Sequence, residues 1–242
     1  MSNLKNSKYP CTKWEIEYQN FETFALNQSE TKPNSDFDGN YFTGEWRHGY
    51  TTYNLETRRE VEGKNPSLIK NVLEPKNLLD VGCGPGLLVL MLREMSVDAF
   101  GIDASDFALK TAPGEVGDFI SKGDILNIPF DENEFEVLIC REVLEHLTVI
   151  QVAKAISEMC RVSDKYIYVT TRYAHECNSI FDVETEFEAD PTHITCMNKS
   201  LLRTLFLLNG FKSCPDLEKK LDWLDKGRVL VYEKTEKYIS KT

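Results

Sequence analysis

Three evenly spaced glycines are the first residues in this chain that point to a particular chemistry. Gly82, Gly84 and Gly86 form the pattern G-x-G-x-G after a short apolar run that begins at Leu78, and an apolar helical pattern follows over residues 87–95. A strand, a glycine turn and a helix in this order are typical of the nucleotide-binding corner of an α/β sheet. Glycine suits this corner because a nucleoside can lie against a backbone that carries no Cβ.

The spacing of the glycines narrows the choice of ligand. The dinucleotide fingerprint is G-x-G-x-x-G, and its third glycine position is occupied here by Leu87. A P-loop would need Lys followed by Ser or Thr after the glycines, where this chain has Leu87 and Leu88. With no pyrophosphate to bind, the corner favours a nucleoside that carries an amino-acid tail over NAD or ATP.

A second group of reactive side chains follows an apolar, β-rich segment at residues 135–140. Glu142, Glu145 and His146 form the pattern E-x-x-E-H and would lie within one turn if a helix begins there. Two carboxylates and an imidazole form a reasonable partial shell for a divalent cation.

Alternating strand and helix patterns must position these side chains. We predict strands at residues 78–81, 99–102, 119–121, 135–140 and 166–170, and helices at residues 65–72, 87–95, 150–162 and 199–208. This alternation indicates a parallel sheet with helices on both faces. Residues 211–213 and 228–233 are predicted to form a final antiparallel pair.

Composition limits the partners and the location. The 242 residues carry a net charge of −11, which argues against nucleic acid as a general partner. No apolar run approaches the ~20 residues that span a bilayer, so we expect no membrane span. The polar residues 1–10 show no secretory signal, and seven scattered cysteines without a C-x-x-C pair favour a reducing, cytoplasmic location. The oligomeric state stays open.

Four segments, in order along the chain, resemble one enzyme family. Residues 80–86, Asp-Val-Gly-Cys-Gly-Pro-Gly, resemble motif I of class I S-adenosylmethionine (SAM) dependent methyltransferases. Residues 100–105, 123–130 and 135–147 are similar to the family's later motifs. The resemblance implies SAM as the cofactor. It also implies a Rossmann-like α/β fold whose seven-stranded sheet is mostly parallel, has helices on both faces and ends in an antiparallel strand.

The resemblance also assigns cofactor contacts. Asp80 and the amides of the glycine turn should face the methionine part of SAM. Asp103, at the end of the second strand, should accept hydrogen bonds from both ribose hydroxyls; the alternative is a helix N-cap. The expected cofactor contacts are Asp80, Gly82, Cys83, Gly84, Asp103, Ala104, Asp124, Ile125 and Cys140.

Two of these assignments concern the ends of the site. Asp124 should accept from the adenine amino group while the Ile125 amide donates to the ring, with a plain turn aspartate as the alternative for Asp124. Cys140 and Arg141, which end the fourth strand, should line the floor under the sulfonium.

The E-x-x-E-H pattern resembles the metal-binding motif of ubiquinone-pathway O-methyltransferases and of small-RNA 2′-O-methyltransferases. The latter add a distant histidine, for which His193 stands in a comparable place. Family members without a metal also share the E-H-L ending, so three alternatives stay open: a metal site, His193 as a metal-free general base, or a structural histidine. The candidate metal ligands are Glu142, Glu145, His146 and His193, and the candidate catalytic residues are His193, His146 and Glu145.

The flanks of the predicted domain should build the acceptor pocket. We expect an aromatic-rich N-terminal extension or lid at residues 1–65, a SAM-binding domain at residues 66–242 and an acidic insertion at residues 172–197. The expected function is methyl transfer to a small polar or amphipathic metabolite, at oxygen rather than nitrogen. The alternatives are a metal-dependent 2′-O-methyltransferase on an RNA end and a non-catalytic SAM-binding partner protein. The expected substrate contacts are Tyr41, Trp46, Tyr53, Arg141 and Arg172.

Overall fold

The structure is a computed structural model that describes residues 37, 39–43, 55–173, 181–182 and 192–235. Within these ranges, no helix has the length and apolar character needed to cross a membrane. The α-helices are α1 (Gly39–Thr43), α2 (Leu55–Glu62), α3 (Asn65–Leu68), α4 (Leu87–Glu94), α5 (Asp106–Lys110), α6 (Val149–Val162), α7 (Lys199–Leu208) and α8 (Pro215–Leu221). The strands are β1 (Asn77–Val81), β2 (Asp98–Asp103), β3 (Ile120–Lys122), β4 (Phe135–Arg141), β5 (Ser163–Thr170), β6 (Phe181–Asp182), β7 (Cys196–Met197), β8 (Phe211–Ser213) and β9 (Val229–Lys234).

Seven strands form one sheet in the order β3-β2-β1-β4-β5-β9-β8. Strand β9 runs antiparallel to both of its neighbours, and the other pairings are parallel. The predicted fold class is therefore confirmed. The strand order reverses between β1 and β4, and open α/β sheets bind ligands beyond the carboxyl ends of the strands at such a point.

Helices cover both faces of the sheet. On one face, α6 buries Val152, Ile156 and Met159, which are spaced to lie on one side of a helix. A capping box between Thr148 and Gln151 fixes the start of α6. On the other face, the fully buried side chains of α4 and of the turn after α3 pack against β1, and burying each large aliphatic side chain stabilises the fold by about 1.5–3 kcal/mol.

The sequence prediction missed several local features. The helix predicted at residues 65–72 begins as α3 and widens into a π-helical turn, Ile69–Leu73. It ends at Glu74, whose φ of 47° lies in the left-handed region, and the following Pro75 disfavours any continuation of the helix. Helices α2 and α8 and the small β6–β7 pair were not predicted.

Candidate active site

A cavity of about 490 Å³ lies where the carboxyl ends of β1, β2 and β4 meet. This volume lies within the usual range for small-molecule sites. Side chains of Phe37 and Tyr41 also border it. The other described walls come from the glycine turn after β1, the tip of β2, residues 123–126, residues 141–148, α2 and residues 221–229.

The glycine turn shapes the cavity through its missing side chains. Gly82 has a φ of 76°, and a Cβ placed there would lie 2.3 Å from Val143 Cγ2. The backbone N–H groups of Gly82 and Cys83 both donate to the Ile102 carbonyl, at 2.8 and 3.0 Å. The expectation that the amides of this turn face the ligand is therefore wrong for these two, because they tie the turn to β2.

Asp103 lines the cavity from the tip of β2 and holds the glycine turn. Its Oδ2 accepts from the Gly84 backbone N–H at 2.7 Å, so this third amide also bonds within the protein, and its Oδ1 accepts from the Ser105 N–H at 2.8 Å. Burial raises the pKa of Asp103, and the two backbone hydrogen bonds oppose that rise. Each carboxylate oxygen keeps acceptor capacity for a ligand hydroxyl.

The N-cap alternative for Asp103 is wrong. Ser105 caps α5 instead, because its Oγ accepts from the Ala108 N–H at 3.1 Å. Asp124 lies in a turn, where its Oδ1 accepts from the Leu126 N–H at 2.8 Å. Asp124 and Ile125 both line the cavity, as does Ala104, so their adenine and ribose roles stay predictions that the position of these residues allows.

The structure corrects the predicted position of Cys140. Its side chain is fully buried in the core cluster packed against α6 and is not part of the described cavity lining. Successive residues of a strand point to opposite faces, so when Arg141 points into the cavity Cys140 points away. The prediction that Cys140 lines the floor under the sulfonium is therefore wrong.

A buried charge network forms the floor of the cavity. Arg141 donates from Nη1 and Nη2 to the two carboxylate oxygens of Glu62, at 2.7 and 3.2 Å. Glu62 also accepts from Arg58 Nη2 at 2.6 Å and from Asn65 Nδ2 at 2.9 Å. Burial raises the pKa of Glu62, but Arg141 and Arg58 outweigh it and hold that pKa below its ordinary value.

Asp80 lies in the same floor but lacks such partners. Its side chain is 4% exposed, and no described residue donates a hydrogen bond to it. Burial raises its pKa to about 7, although Arg141 opposes the rise. The buried Nε of Arg141 likewise has no hydrogen-bond acceptor in the described part of the chain.

Sequence reasoning missed Arg58, Glu62 and Asn65, which it left in or next to the N-terminal extension. In the structure, all three line the cavity. One local signal was available: Arg58 and Glu62 are four residues apart, the spacing of an ion pair on a helix. The proposal that residues 1–65 form a lid must therefore exclude α2, which is a wall of the cavity.

An aromatic cluster also borders the cavity. The ring of His146 lies edge-on to those of Phe37 and Tyr41, with centroids 5.1 and 6.1 Å apart. Trp46 and Tyr53, the other predicted aromatic substrate contacts, fall outside the described residues. Arg172, another predicted substrate contact, is not part of the described cavity lining. Its Nε lies 3.7 Å from the Oε2 of Glu142, a residue that does line the cavity.

The acid and histidine cluster contains three of the four predicted metal ligands. Ligand atoms of Glu145, His146 and His193 all lie within 4.8 Å of one another. Glu142 lies outside this group, because no helix begins there: its φ is 53°, and a 3₁₀ turn follows at Leu144–His146. Only His146 of these three reaches the described cavity lining; Glu145 and His193 are buried behind it.

Hydrogen bonds hold the cluster in place. Glu145 Oε2 accepts from Thr171 Oγ1 at 2.6 Å, while the buried Oε1 has no hydrogen-bond partner in the described ranges. Burial, and next the nearby Glu142, raise the pKa of Glu145 well above its ordinary value. Nδ1 of His146 lies 2.9 Å from Thr192 Oγ1, and the rings of His146 and His193 are 4.9 Å apart.

The last wall is the loop between α8 and β9. Val229, the first residue of β9, pairs with Thr170 at the carboxyl end of β5, so this loop faces the cavity. The indole of Trp223 lies on Gly63, where an added Cβ would be 2.7 Å from the ring. Trp223 is 37% exposed and therefore presents apolar surface at the cavity.

Residues 79–165 match the family described as "Methyltransferase domain". The chain is 34% identical over 98 residues to norajmaline N-methyltransferase of Rauvolfia serpentina, covering 37% of this chain and 33% of that protein. It is 27% identical over 106 residues to a ubiquinone biosynthesis O-methyltransferase of Bordetella avium, covering 41% of each. These matches span less than half the length of either relative.

Solved structures share the fold. A Burkholderia thailandensis 1,6-didemethyltoxoflavin-N1-methyltransferase, solved with 1,6-didemethyltoxoflavin and S-adenosylhomocysteine, superposes with a TM-score of 0.58 at 13% identity, covering 84% of this chain and 87% of that one. A SAM-dependent methyltransferase of Archaeoglobus fulgidus gives 0.56 at 16% identity, covering 80% and 98%. Residues 79–165 and the sheet order are therefore similar to those of class I SAM-dependent methyltransferases.

Proposed function

We propose that this chain binds SAM and transfers its methyl group to a small polar or amphipathic metabolite. The observation that carries the proposal is the pair of unsatisfied groups in the cavity floor. Asp80 offers a buried carboxyl without a hydrogen-bond donor, and Arg141, on the adjacent strand, offers a buried Nε–H without an acceptor within the described ranges. Together they complement the ammonium and carboxylate groups of an amino-acid tail.

The rest of the cavity fits the nucleoside. Asp103 has acceptor capacity for the ribose hydroxyls, and Asp124 and Ile125 border the cavity where an adenine would be recognised. The turn at Gly82 to Gly84 leaves room for the ligand because it carries little side chain. The residues present therefore fit SAM better than a dinucleotide.

When bound, SAM supplies an activated methyl group, and the protein must align the acceptor and exclude water. A hydroxyl acceptor would also have to lose its proton. We propose that His146 takes this proton at Nε2, because His146 reaches the cavity and its Nδ1 is held by Thr192. This replaces His193 as the direct base, since His193 lies behind His146.

A divalent cation at Glu145, His146 and His193 is a second proposal for the same cluster. The unpartnered Oε1 of Glu145 favours it, because a buried carboxyl oxygen without a hydrogen-bond partner is costly, and a bound cation would satisfy it and favour the ionised form. One carboxylate and two imidazoles suit a transition metal or zinc ion. Such an ion would lower the pKa of an acceptor hydroxyl bound to it.

The acceptor is proposed to be a small molecule with oxygen as the accepting atom. The aromatic rings of Phe37, Tyr41 and Trp223 border a cavity of small-molecule size. An RNA end is the less favoured acceptor because a net charge of −11 repels a polyanion. We also propose a cytoplasmic location, in keeping with the free thiols of Cys83, Cys140, Cys160 and Cys214.

One experiment tests the activity. The protein is incubated with a small-metabolite extract and SAM carrying an isotope-labelled methyl group, and labelled products are identified by mass spectrometry. The proposal predicts at least one labelled small molecule. SAM binding by calorimetry without any labelled product would favour the non-catalytic alternative, and labelled RNA from a parallel incubation would favour the RNA alternative.

A further inference from the structure

Glu62 is the most fully paired carboxylate in the floor of the cavity. Only 1% of its side chain is exposed, and its two oxygens accept from Arg141, Arg58 and Asn65. It ends α2, a helix outside the residues matched by the methyltransferase family. Glu62 therefore lies outside the part of the chain that the family match covers.

Two buried carboxyl groups compete for one guanidinium here. Arg141 pairs with Glu62 through both terminal nitrogens and forms no ion pair with Asp80 in the described part of the chain. Both carboxyl groups are close enough to Arg141 to interact with its charge. A guanidinium held by two parallel hydrogen bonds has a fixed orientation, so it is not free to turn to a second carboxylate.

We propose that Glu62 is a positioning residue that holds Arg141 off Asp80, so that the carboxyl group of Asp80 has no direct ion-pair partner until the ammonium group of an amino-acid ligand binds. This inference rests on the proposed function, because it assigns the ligand's cationic group to Asp80. It assigns different roles to the two carboxyl groups: Glu62 holds Arg141, and Asp80 binds the ligand.

A measurable proton change follows from this arrangement. The charged groups that face Asp80 are Arg141 from β4, Glu62 and Arg58 from α2, and Asp103 from β2. With a pKa of about 7, Asp80 is mostly protonated at pH 6.5 in the ligand-free protein. An arriving ammonium group favours the carboxylate, so the O–H bond of Asp80 breaks and its proton is released to solvent while the ammonium–carboxylate pair forms.

The test uses the full chain and S-adenosylhomocysteine, which carries the same amino-acid tail and does not react. Titration calorimetry at pH 6.5 in buffers of different ionisation enthalpy measures the protons released per ligand. The ligand's amino group is already protonated at this pH, because even the α-amino group of a peptide has an ordinary pKa of about 7.7–8.0 and that of a free amino acid is higher. We expect release of roughly 0.7 proton per ligand, and binding heats independent of the buffer would overturn the proposal. Failure to bind at all would instead overturn the proposed function.

Variants assign the effect to Glu62. Glu62→Gln should free Arg141 to pair with Asp80, reduce proton release to near zero and weaken binding at least tenfold. The matched control is Glu94→Gln, which breaks an exposed pair with Arg59 and should release protons as the wild type does. Wild-type proton release in folded Glu62→Gln would overturn the proposal.

A second variant covers the case in which Glu62→Gln does not fold. Glu62→Asp keeps the charge but shortens the side chain, so its hydrogen bonds to Arg141 are weaker. Proton release should therefore lie between that of the wild type and that of Glu62→Gln. Wild-type release in this variant would overturn the proposal. Asp80→Asn, in which the titrating group is absent, should release no proton at pH 6.5, which identifies the source.

Discussion

The backbone N–H of Gly84 donates to the Oδ2 of Asp103 at 2.7 Å. The glycine turn after β1 and the acidic tip of β2 are therefore one unit, although 19 residues separate them along the chain. One carboxylate oxygen of Asp103 holds the glycine turn, and the other accepts from the backbone N–H of Ser105. Both oxygens keep lone pairs for a ligand. Substitution of Asp103 should remove both the acceptors and the support of the turn.

Asp103→Ala should weaken SAM binding at least tenfold, or about 1.4 kcal/mol. The measurement is titration calorimetry with SAM. Asp106→Ala is the matched control: Asp106 forms an exposed ion pair with Lys122 and is not part of the described cavity lining, so this variant should bind SAM as the wild type does. Wild-type affinity in folded Asp103→Ala would contradict the ribose assignment.

Asp80→Asn should flatten the dependence of stability on pH. Because burial raises the pKa of Asp80 to about 7, the folded protein holds this proton more tightly than the unfolded chain does. The stability from this proton is therefore complete below the unfolded pKa of about 3.9 and is lost as pH rises towards 7. Urea denaturation of the ligand-free proteins should show the wild type losing about 2 kcal/mol more than the variant between pH 5 and 7. Parallel pH profiles would show that Asp80 does not titrate in this range.

Glu145→Gln should abolish any stimulation of methyl transfer by divalent cations, because it removes the anionic ligand from the cluster of Glu145, His146 and His193. Turnover is measured after EDTA treatment and again after metal is added back. Glu115→Gln is the matched control, since Glu115 is exposed and lies outside both the cluster and the described cavity lining, so stimulation should persist. If wild-type turnover is indifferent to EDTA, the cation proposal fails and His146 acts without metal.

Gly82→Ala should destabilise the protein by at least about 2 kcal/mol. A Cβ at this position meets Val143 Cγ2 at 2.3 Å, and the φ of 76° is unfavourable for alanine. Gly114→Ala is the control, because nothing lies within 4 Å of its added Cβ. Urea denaturation of both variants should show a clear loss for Gly82→Ala only; equal stabilities would mean that the turn relaxes freely.

Local patterns predicted the scaffold well. The predicted helix at residues 199–208 is α7, because Asn198 caps its start, the apolar period is regular and Asn209 and Gly210 end it. The sheet followed from alternating strand and helix patterns and from the family's motif order. Both kinds of signal are carried by residues close together in sequence.

The site was harder to predict because its contacts are long-range. Arg141 and Glu62 are 79 residues apart in sequence, so no local pattern predicts that they pair. The wrong assignment of Cys140 came from choosing both residues at the strand end, when only one of two neighbours can face the cavity. The amides of Gly82 and Cys83 were expected to face the ligand, but the Ile102 carbonyl that they contact comes from another strand.

The antiparallel direction of β9 determines which loop borders the cavity. Because β9 begins rather than ends at the carboxyl edge of β5, the loop that precedes it, with Trp223 resting on Gly63, is brought to the mouth of the cavity. Substitutions in that loop can reshape the space offered to an acceptor while the strands and the nucleoside corner keep their geometry. Under the proposed function, the hairpin of β8 and β9 would therefore allow substrate preference to change separately from the SAM site.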